Sequence, residues 1–102
     1  MIGTDIVYIS RIELKESFIR YILTDEEYSE YSRINHDKRR KEYIAGRFAS
    51  KEAIFKATQD KEYLTYSILN KEDGRPYVKD HPEIEISISH DGDYALAFVI
   101  IH

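Results

Sequence analysis

Tyr43-Ile44-Ala45-Gly46-Arg47-Phe48-Ala49-Ser50-Lys51-Glu52-Ala53-Ile54-Phe55-Lys56 is the stretch around which this chain of 102 residues is organised. Wound at about 100° per residue, Ile44, Ala45, Phe48, Ala49 and Phe55 share one broad apolar stripe, so the segment reads as a helix with a core-facing side. Glu52 and Lys56 fall inside that stripe instead of opposite it. A carboxylate facing a core is costly unless it meets a cation, a metal or hydrogen-bond donors. A Glu52–Lys56 pair at i,i+4 on the stripe's edge, worth roughly 0.2–0.5 kcal/mol, is one account. The other is that Glu52 serves a site completed by the rest of the chain.

Upstream, Asp37-Lys38-Arg39-Arg40-Lys41 opens the same helix, which the pattern carries from about Asp37 to Thr58. Four consecutive basic residues at a helix start oppose the macrodipole. They form either a solvated face or a place for one phosphate group. Gly46 inside the helix costs roughly 1 kcal/mol relative to Ala and points to close approach by another backbone or a ligand. Thr24-Asp25-Glu26-Glu27 is a capping box that starts a short helix to about Tyr31. Ser10-Arg11-Ile12-Glu13 has the same form and predicts a helix through about Tyr21, with Arg11, Lys15 and Arg20 as a small outward basic surface. Met1 to Ile9 is a short β-rich run. Asp is depleted in strands, so Asp5 there stands either in a turn or as a carboxylate held on a rigid strand.

Downstream, Tyr63 to Leu69 and Arg75 to Val78 read as strands flanking the Asp73-Gly74 turn, with Pro76 at an edge. Glu83 to Ser89 alternates, with Ile84, Ile86 and Ile88 on one face. His90-Asp91-Gly92-Asp93 reads as a turn, and Tyr94 to Ile101 as a closing strand. That strand is apolar on both faces, so both require cover, from helices or from another subunit. The expectation is one α+β domain over residues 1–102, a small antiparallel sheet packed with a long central helix and shorter helices.

Composition bounds the function. A hydrophobic fraction of 42% argues for a folded globular chain. With no cysteine there are no disulfides and no thiolate metal sites. A net charge of −4 disfavours a nucleic-acid binder. No apolar run approaches a membrane span, and the first residues lack a signal peptide's basic and apolar regions, so a cytoplasmic protein is expected.

Three motifs resemble the holo-acyl-carrier-protein synthases, the small bacterial 4′-phosphopantetheinyl transferases. They are Gly3-Thr4-Asp5-Ile6-Val7 with Arg11-Ile12-Glu13; Glu42 to Ala53 continuing to Lys56-Ala57; and Ser87-Ile88-Ser89-His90 followed by Tyr94-Ala95-Leu96-Ala97. Leu23-Thr24 with Glu27, and Gly74-Arg75-Pro76-Tyr77, also fit, so the likeness spans the chain in order.

The resemblance implies the 4′-phosphopantetheinyl transferase fold and transfer of phosphopantetheine from coenzyme A to a serine of apo-acyl carrier protein, in fatty acid biosynthesis. Under it, Asp5 and Glu52 would hold Mg²⁺ against the pyrophosphate, and Lys56 would stabilise developing charge. His90 would help bind coenzyme A, and Lys38, Arg39 and Arg47 would contact the adenosine and its 3′-phosphate. The family forms trimers with active sites at subunit interfaces, and the acidic carrier would meet the first helix at Arg11. One departure stands out. Where the family usually continues from Lys56-Ala57 into a Gly-Thr-Gly loop, this chain has Thr58-Gln59-Asp60-Lys61-Glu62, shorter and without glycine. A non-catalytic module that binds acyl carrier protein on the same fold is the alternative, and a Mg²⁺-assisted nuclease a third.

Overall fold

The computed structural model describes all residues from Met1 to His102. Strand β1 (Ile2–Tyr8) leads through a 3₁₀ turn (Ile9–Arg11) to helices α1 (Glu16–Ile22), α2 (Asp25–Ser32) and α3 (Asp37–Thr58). A second 3₁₀ turn (Tyr63–Thr65) precedes strands β2 (Ile68–Asn70), β3 (Pro76–Val78), β4 (Ile84–Asp91) and β5 (Tyr94–Ile101). Strands β1, β5 and β4 make one antiparallel sheet in that order, and β2 and β3 make a separate hairpin. The architecture is the expected α+β arrangement, and α3 has the expected ends.

Three boundaries differ from the sequence reading. Ser10 caps no helix: Ile9–Arg11 forms a 3₁₀ turn in which the Ile12 amide bonds to the Ile9 carbonyl at 3.0 Å, and α1 begins only at Glu16. Burial of Ile12 holds the segment down, and Glu13 pairs with Lys15 at 2.9 Å instead of reaching back. Tyr63–Thr65 is likewise a turn, so β2 shrinks to three residues. By contrast Thr24 makes the full capping box with Glu27. His90 and Asp91 belong to β4, and the hairpin into β5 closes on Gly92 and Asp93, with Gly92 at φ +56°.

The packing of α3 also differs from a single stripe. Its buried residues include Ile44, Ala45, Ala49, Ala53 and Ile54, but also Tyr43, Arg47 and Lys51, while Phe48 and Phe55 are only half-buried. The helix is covered from two sides. Toward the sheet it presents small residues: a Cβ on Gly46 would sit 3.3 Å from the Ile88 side chain, and one on Gly3 of β1 would sit 2.0 Å from the Ala53 carbonyl oxygen. Only glycine at position 3 lets the strand press this closely onto the helix. Glu52 therefore lies at the margin, half-buried, and Lys56 is exposed.

On the other side a charged pair is buried. Lys51 Nζ donates to Glu27 Oε1 at 2.5 Å and to the Ile22 carbonyl at 2.6 Å. Glu27 accepts in addition from the Thr24 amide at 2.9 Å and the Ile68 amide at 2.8 Å. Both side chains are essentially inaccessible, at 1% and 0% exposure. Burial pushes the Lys51 ammonium below the ordinary lysine range, and the Glu27 charge pulls it back.

The sheet's outer face is not covered. Ile2, Ile6, Tyr8, Tyr94, Leu96 and Phe98 are all exposed, and the pairings Ile6 with Leu96 and Tyr8 with Tyr94 make them one continuous patch. The inward set of β5, Ala95, Ala97, Val99 and Ile101, is buried. No helix is long and apolar enough to cross a membrane.

Breaking the buried pair from one side is the sharpest stability test. Lys51→Met leaves Glu27 charged, buried and without its cation, a loss of about 3–5 kcal/mol. At roughly 4–8 °C per kcal/mol this lowers Tm by about 12–40 °C. Glu27→Gln with Lys51→Met removes both charges and recovers part of the loss. Thermal melts of the two variants check the order; a single variant that melts with the parent protein contradicts it.

Candidate active site

The carboxylate end of the site is set by the crossing of β1 over α3. Along β1, Gly3, Asp5 and Val7 face the helix, and Gly3 brings the strand against Ala53 and Ala57. Asp5 then meets Lys56, whose Nζ donates to Asp5 Oδ1 at 2.9 Å and to the Thr4 carbonyl at 3.1 Å. Lys56 thus turns to the strand and not to Glu52, its i,i+4 neighbour. Glu52 instead accepts a hydrogen bond from the Tyr63 hydroxyl at 3.0 Å. Burial pushes the Tyr63 phenol far above its ordinary range; the hydrogen bond to Glu52 and then the charges of Glu52, Tyr21 and Asp5 add to it. Asp5 with Lys56 and Glu52 with Tyr63 are thus two contacts, made from positions one helical turn apart on α3.

The cationic end lies at the start of α3. A cleft of about 800 Å³ is lined by Lys38, Arg39, Glu42, Arg47, Asn70 and His90, among others. Lys38 and Arg39 are exposed. His90 Nδ1 stands 3.7 Å from Glu42 Oε2. Arg47 also lines the cleft, but it is buried: Nε donates to the Ile68 carbonyl at 3.0 Å, and one Nη donates to Asn70 at 3.0 Å and to Glu30 at 3.4 Å. Its guanidinium also stacks over Tyr43, 4.0 Å from the ring centroid. Most of its donors are held by protein, so Arg47 builds the cleft wall.

The structure thus divides the expected site residues into two groups. Asp5 pairs with Lys56, one turn from Glu52; Lys38, Arg39, Arg47 and His90 line one cleft that runs from the start of α3 to its middle. Arg39 and Glu52 are thirteen positions apart, roughly 20 Å along a helix. Tyr63, Glu42 and Asn70 escaped the sequence reading. Tyr63 was hidden because its segment looks like a strand, and nothing local shows that its hydroxyl meets Glu52. The expected basic surface is also thinned, because Lys15 pairs with Glu13 and Arg20 with Glu16 at 3.2 Å. Arg11 has no acidic partner; its guanidinium lies over Tyr8.

The donor set of the carboxylate cluster suits a hard divalent cation. Asp5 and Glu52 offer oxygen ligands, and no group of three or more His, Cys, Asp or Glu side chains is assembled to enclose a metal. Mg²⁺ is typically held in this way, by one or two carboxylates with waters and substrate phosphates completing its shell. Two carboxylates on neighbouring elements with a lysine between them, and a separate cationic cleft, are a donor set of the kind that suits a phosphorylated ligand.

Comparison with known proteins gives the family. Residues 1–99 match the family model ACPS, the 4′-phosphopantetheinyl transferase superfamily, and the chain belongs to it. It is 43% identical over 110 residues to the holo-[acyl-carrier-protein] synthase of Acholeplasma laidlawii (strain PG-8A), covering 98% of this chain and 93% of that protein. Its fold superposes on the crystal structure of a holo-(acyl-carrier-protein) synthase from Bacillus anthracis str. Ames in complex with CoA (3′,5′-ADP), with a TM-score of 0.86 and 33% identity over 98% of this chain and 93% of that one. The Helicobacter pylori holo-[acyl-carrier-protein] synthase in complex with coenzyme A gives a TM-score of 0.81 at 30% identity, with both chains covered in full, 100% of each.

Asp5→Asn and Glu52→Gln keep side-chain shape and drop one charge each. Each is expected to lower Mg²⁺ affinity at least tenfold in calorimetry. The Asp5 change should cost only about 0–1 kcal/mol of stability, because its partner Lys56 is largely exposed. Parental affinity in both variants would remove these residues from the cation site.

Proposed function

We propose that this protein transfers the 4′-phosphopantetheine group from coenzyme A to a serine of apo-acyl carrier protein, in fatty acid biosynthesis, with a requirement for Mg²⁺. Membership of the superfamily and relatives named holo-[acyl-carrier-protein] synthase support the reaction. The observation that carries it to this chain is the Asp5–Lys56 contact where β1 crosses α3, one helical turn from Glu52. A catalytically silent carrier-binding module has no use for that arrangement.

In this reading the carrier serine oxygen attacks the β-phosphorus of coenzyme A. A new P–O bond forms, the serine hydroxyl proton passes to solvent, the bond to the bridging oxygen breaks, and adenosine 3′,5′-bisphosphate departs with the negative charge. Mg²⁺ held by Asp5 and Glu52 would neutralise the pyrophosphate. Lys56 adds a positive charge beside Asp5 where charge builds on the departing phosphate. Asp5 keeps that ammonium aimed, because one of its carboxylate oxygens takes the Lys56 hydrogen bond. The cleft lined by Lys38, Arg39 and His90 would take the anionic adenosine end, with Arg47 holding its wall. Exposed Arg11, without an acid partner, is the surface offered to an acidic carrier.

Assembly completes the reading. The exposed cleft residues Lys38 and Arg39 and the carboxylates stand toward opposite ends of one helix, and the outer sheet face leaves six large side chains in water, at roughly 1.5–3 kcal/mol for each one fully exposed. A homotrimer closed through β1 and β5 would bury this face. It would also let one subunit's cleft lie beside another subunit's carboxylates.

Two measurements test this. Mass spectrometry of apo-acyl carrier protein after incubation with the protein, coenzyme A and Mg²⁺ should show the added phosphopantetheine; an unchanged carrier refutes the function. Phe98→Glu places a charge in the outer apolar face, and light scattering should show a smaller particle with activity falling alongside. A parent protein that is fully active as a monomer would sink the shared-site arrangement.

A further inference from the structure

Glu52 and Asp5 are supported differently. Asp5 is held by a cation, Lys56. The Glu52 carboxylate has no ion pair, and its one hydrogen bond within the protein is the 3.0 Å contact from the Tyr63 hydroxyl to Oε1. A glutamate on a helix margin has three side-chain torsions to restrict, so without that contact its carboxylate would sample several positions. We propose that Tyr63 is a positioning residue for the cation site, fixing the Glu52 carboxylate by its hydroxyl so that the second oxygen, Oε2, is presented to Mg²⁺. The proposal rests on the assignment of Glu52 as a cation ligand.

A neutral donor is suited to this task. It orients the carboxylate without cancelling the charge that attracts the cation, whereas a second lysine would compete with the metal. Such outer partners of metal ligands typically contribute 10–100-fold in affinity. Tyr63 is itself firmly placed. Its ring is buried, packs edge-on against Tyr21 at 5.5 Å and lies 6.0 Å from Phe48.

The segment that delivers Tyr63 is the one in which this chain departs from the glycine-rich pattern. Helix α3 ends with Gln59 in the left-handed region at φ 65°, its amide bonded to the Phe55 carbonyl. Thr58 Oγ1 then accepts from the Asp60 amide at 3.1 Å, and Asp60 Oδ1 accepts from the Glu62 amide at 3.2 Å. Polar side chains shape this short connection in place of glycines, and it sets Tyr63 back onto α3 one turn before Lys56. The departure thus supplies a support of its own to the cation site.

The test is Tyr63→Phe, which keeps the ring and removes only the hydroxyl, with Tyr63→Leu as the packing control. Mg²⁺ affinity in the presence of coenzyme A is measured by calorimetry, and turnover is followed as Mg²⁺ is raised. Tyr63→Phe should melt close to the parent protein, bind Mg²⁺ 10–100-fold more weakly and recover most of its kcat at saturating Mg²⁺. Parental Mg²⁺ affinity in Tyr63→Phe, with loss confined to Tyr63→Leu, would overturn the positioning role and leave the cation site standing. A parent protein that binds no Mg²⁺ would overturn both.

Discussion

The fold turns on one buried ion pair, Glu27 with Lys51, and on the fact that every polar atom of that pair has a partner. An ammonium and a carboxylate out of water are tolerable only when the remaining donors and acceptors are also satisfied. Here they reach four elements: Lys51 extends from α3 to the Ile22 carbonyl at the end of α1, and Glu27 caps α2 and takes the Ile68 amide where β2 begins. An apolar pair of the same volume could fill the space but could not specify those four positions. The pair thus holds the α1–α2 layer and the small hairpin in register on α3.

The opposite side of α3 obeys a different constraint, which is space. Gly3 permits the sheet to approach at a distance that any side chain would forbid, and Gly46 eases the contact with Ile88. Close approach is also what brings a carboxylate on a strand and a lysine on a helix within 2.9 Å, although 51 positions separate them. The site is thus a by-product of packing in the best sense: the contact that seals the core also sets the chemistry. Lys51 and Glu52 are adjacent in sequence, so the residue that anchors the helix internally stands next to the one that faces the site.

Charge is distributed along α3 to match. Its first turns carry Lys38 and Arg39 into an open cleft, its middle is anchored by Arg47 and Lys51, and its last turns carry Glu52 and Lys56. A single helix of 22 residues spans about 33 Å. The exposed cationic residues and the carboxylates are therefore carried by one element at different heights, with Lys38 and Arg39 in its first turn and Glu52 and Lys56 in its last two. The face of β1 and β5 turned away from the helix keeps Ile6, Leu96 and Phe98 exposed.

Much of this was legible in the residues alone. Periodicity set α3 to its observed ends, the Thr24–Glu27 box set the start of α2, and alternation set β4, because these are local properties that neighbours in sequence decide. The unusual acids Asp5 and Glu52 were visible for the same reason, each out of keeping with its own element. Tertiary structure decided the rest. Nothing local marks Lys51 as buried until Glu27 and Ile22 close on it, and Arg47, expected as a ligand contact, has most of its donors taken by Ile68, Glu30 and Asn70. Ser10-Arg11-Ile12-Glu13 had the letters of a capping box, but burial of Ile12, worth roughly 1.5–3 kcal/mol, outweighed the roughly 0.5–2 kcal/mol that a cap offers. The Tyr63–Glu52 contact joins residues whose relation exists only after the chain has turned back on α3, and no spacing encodes it.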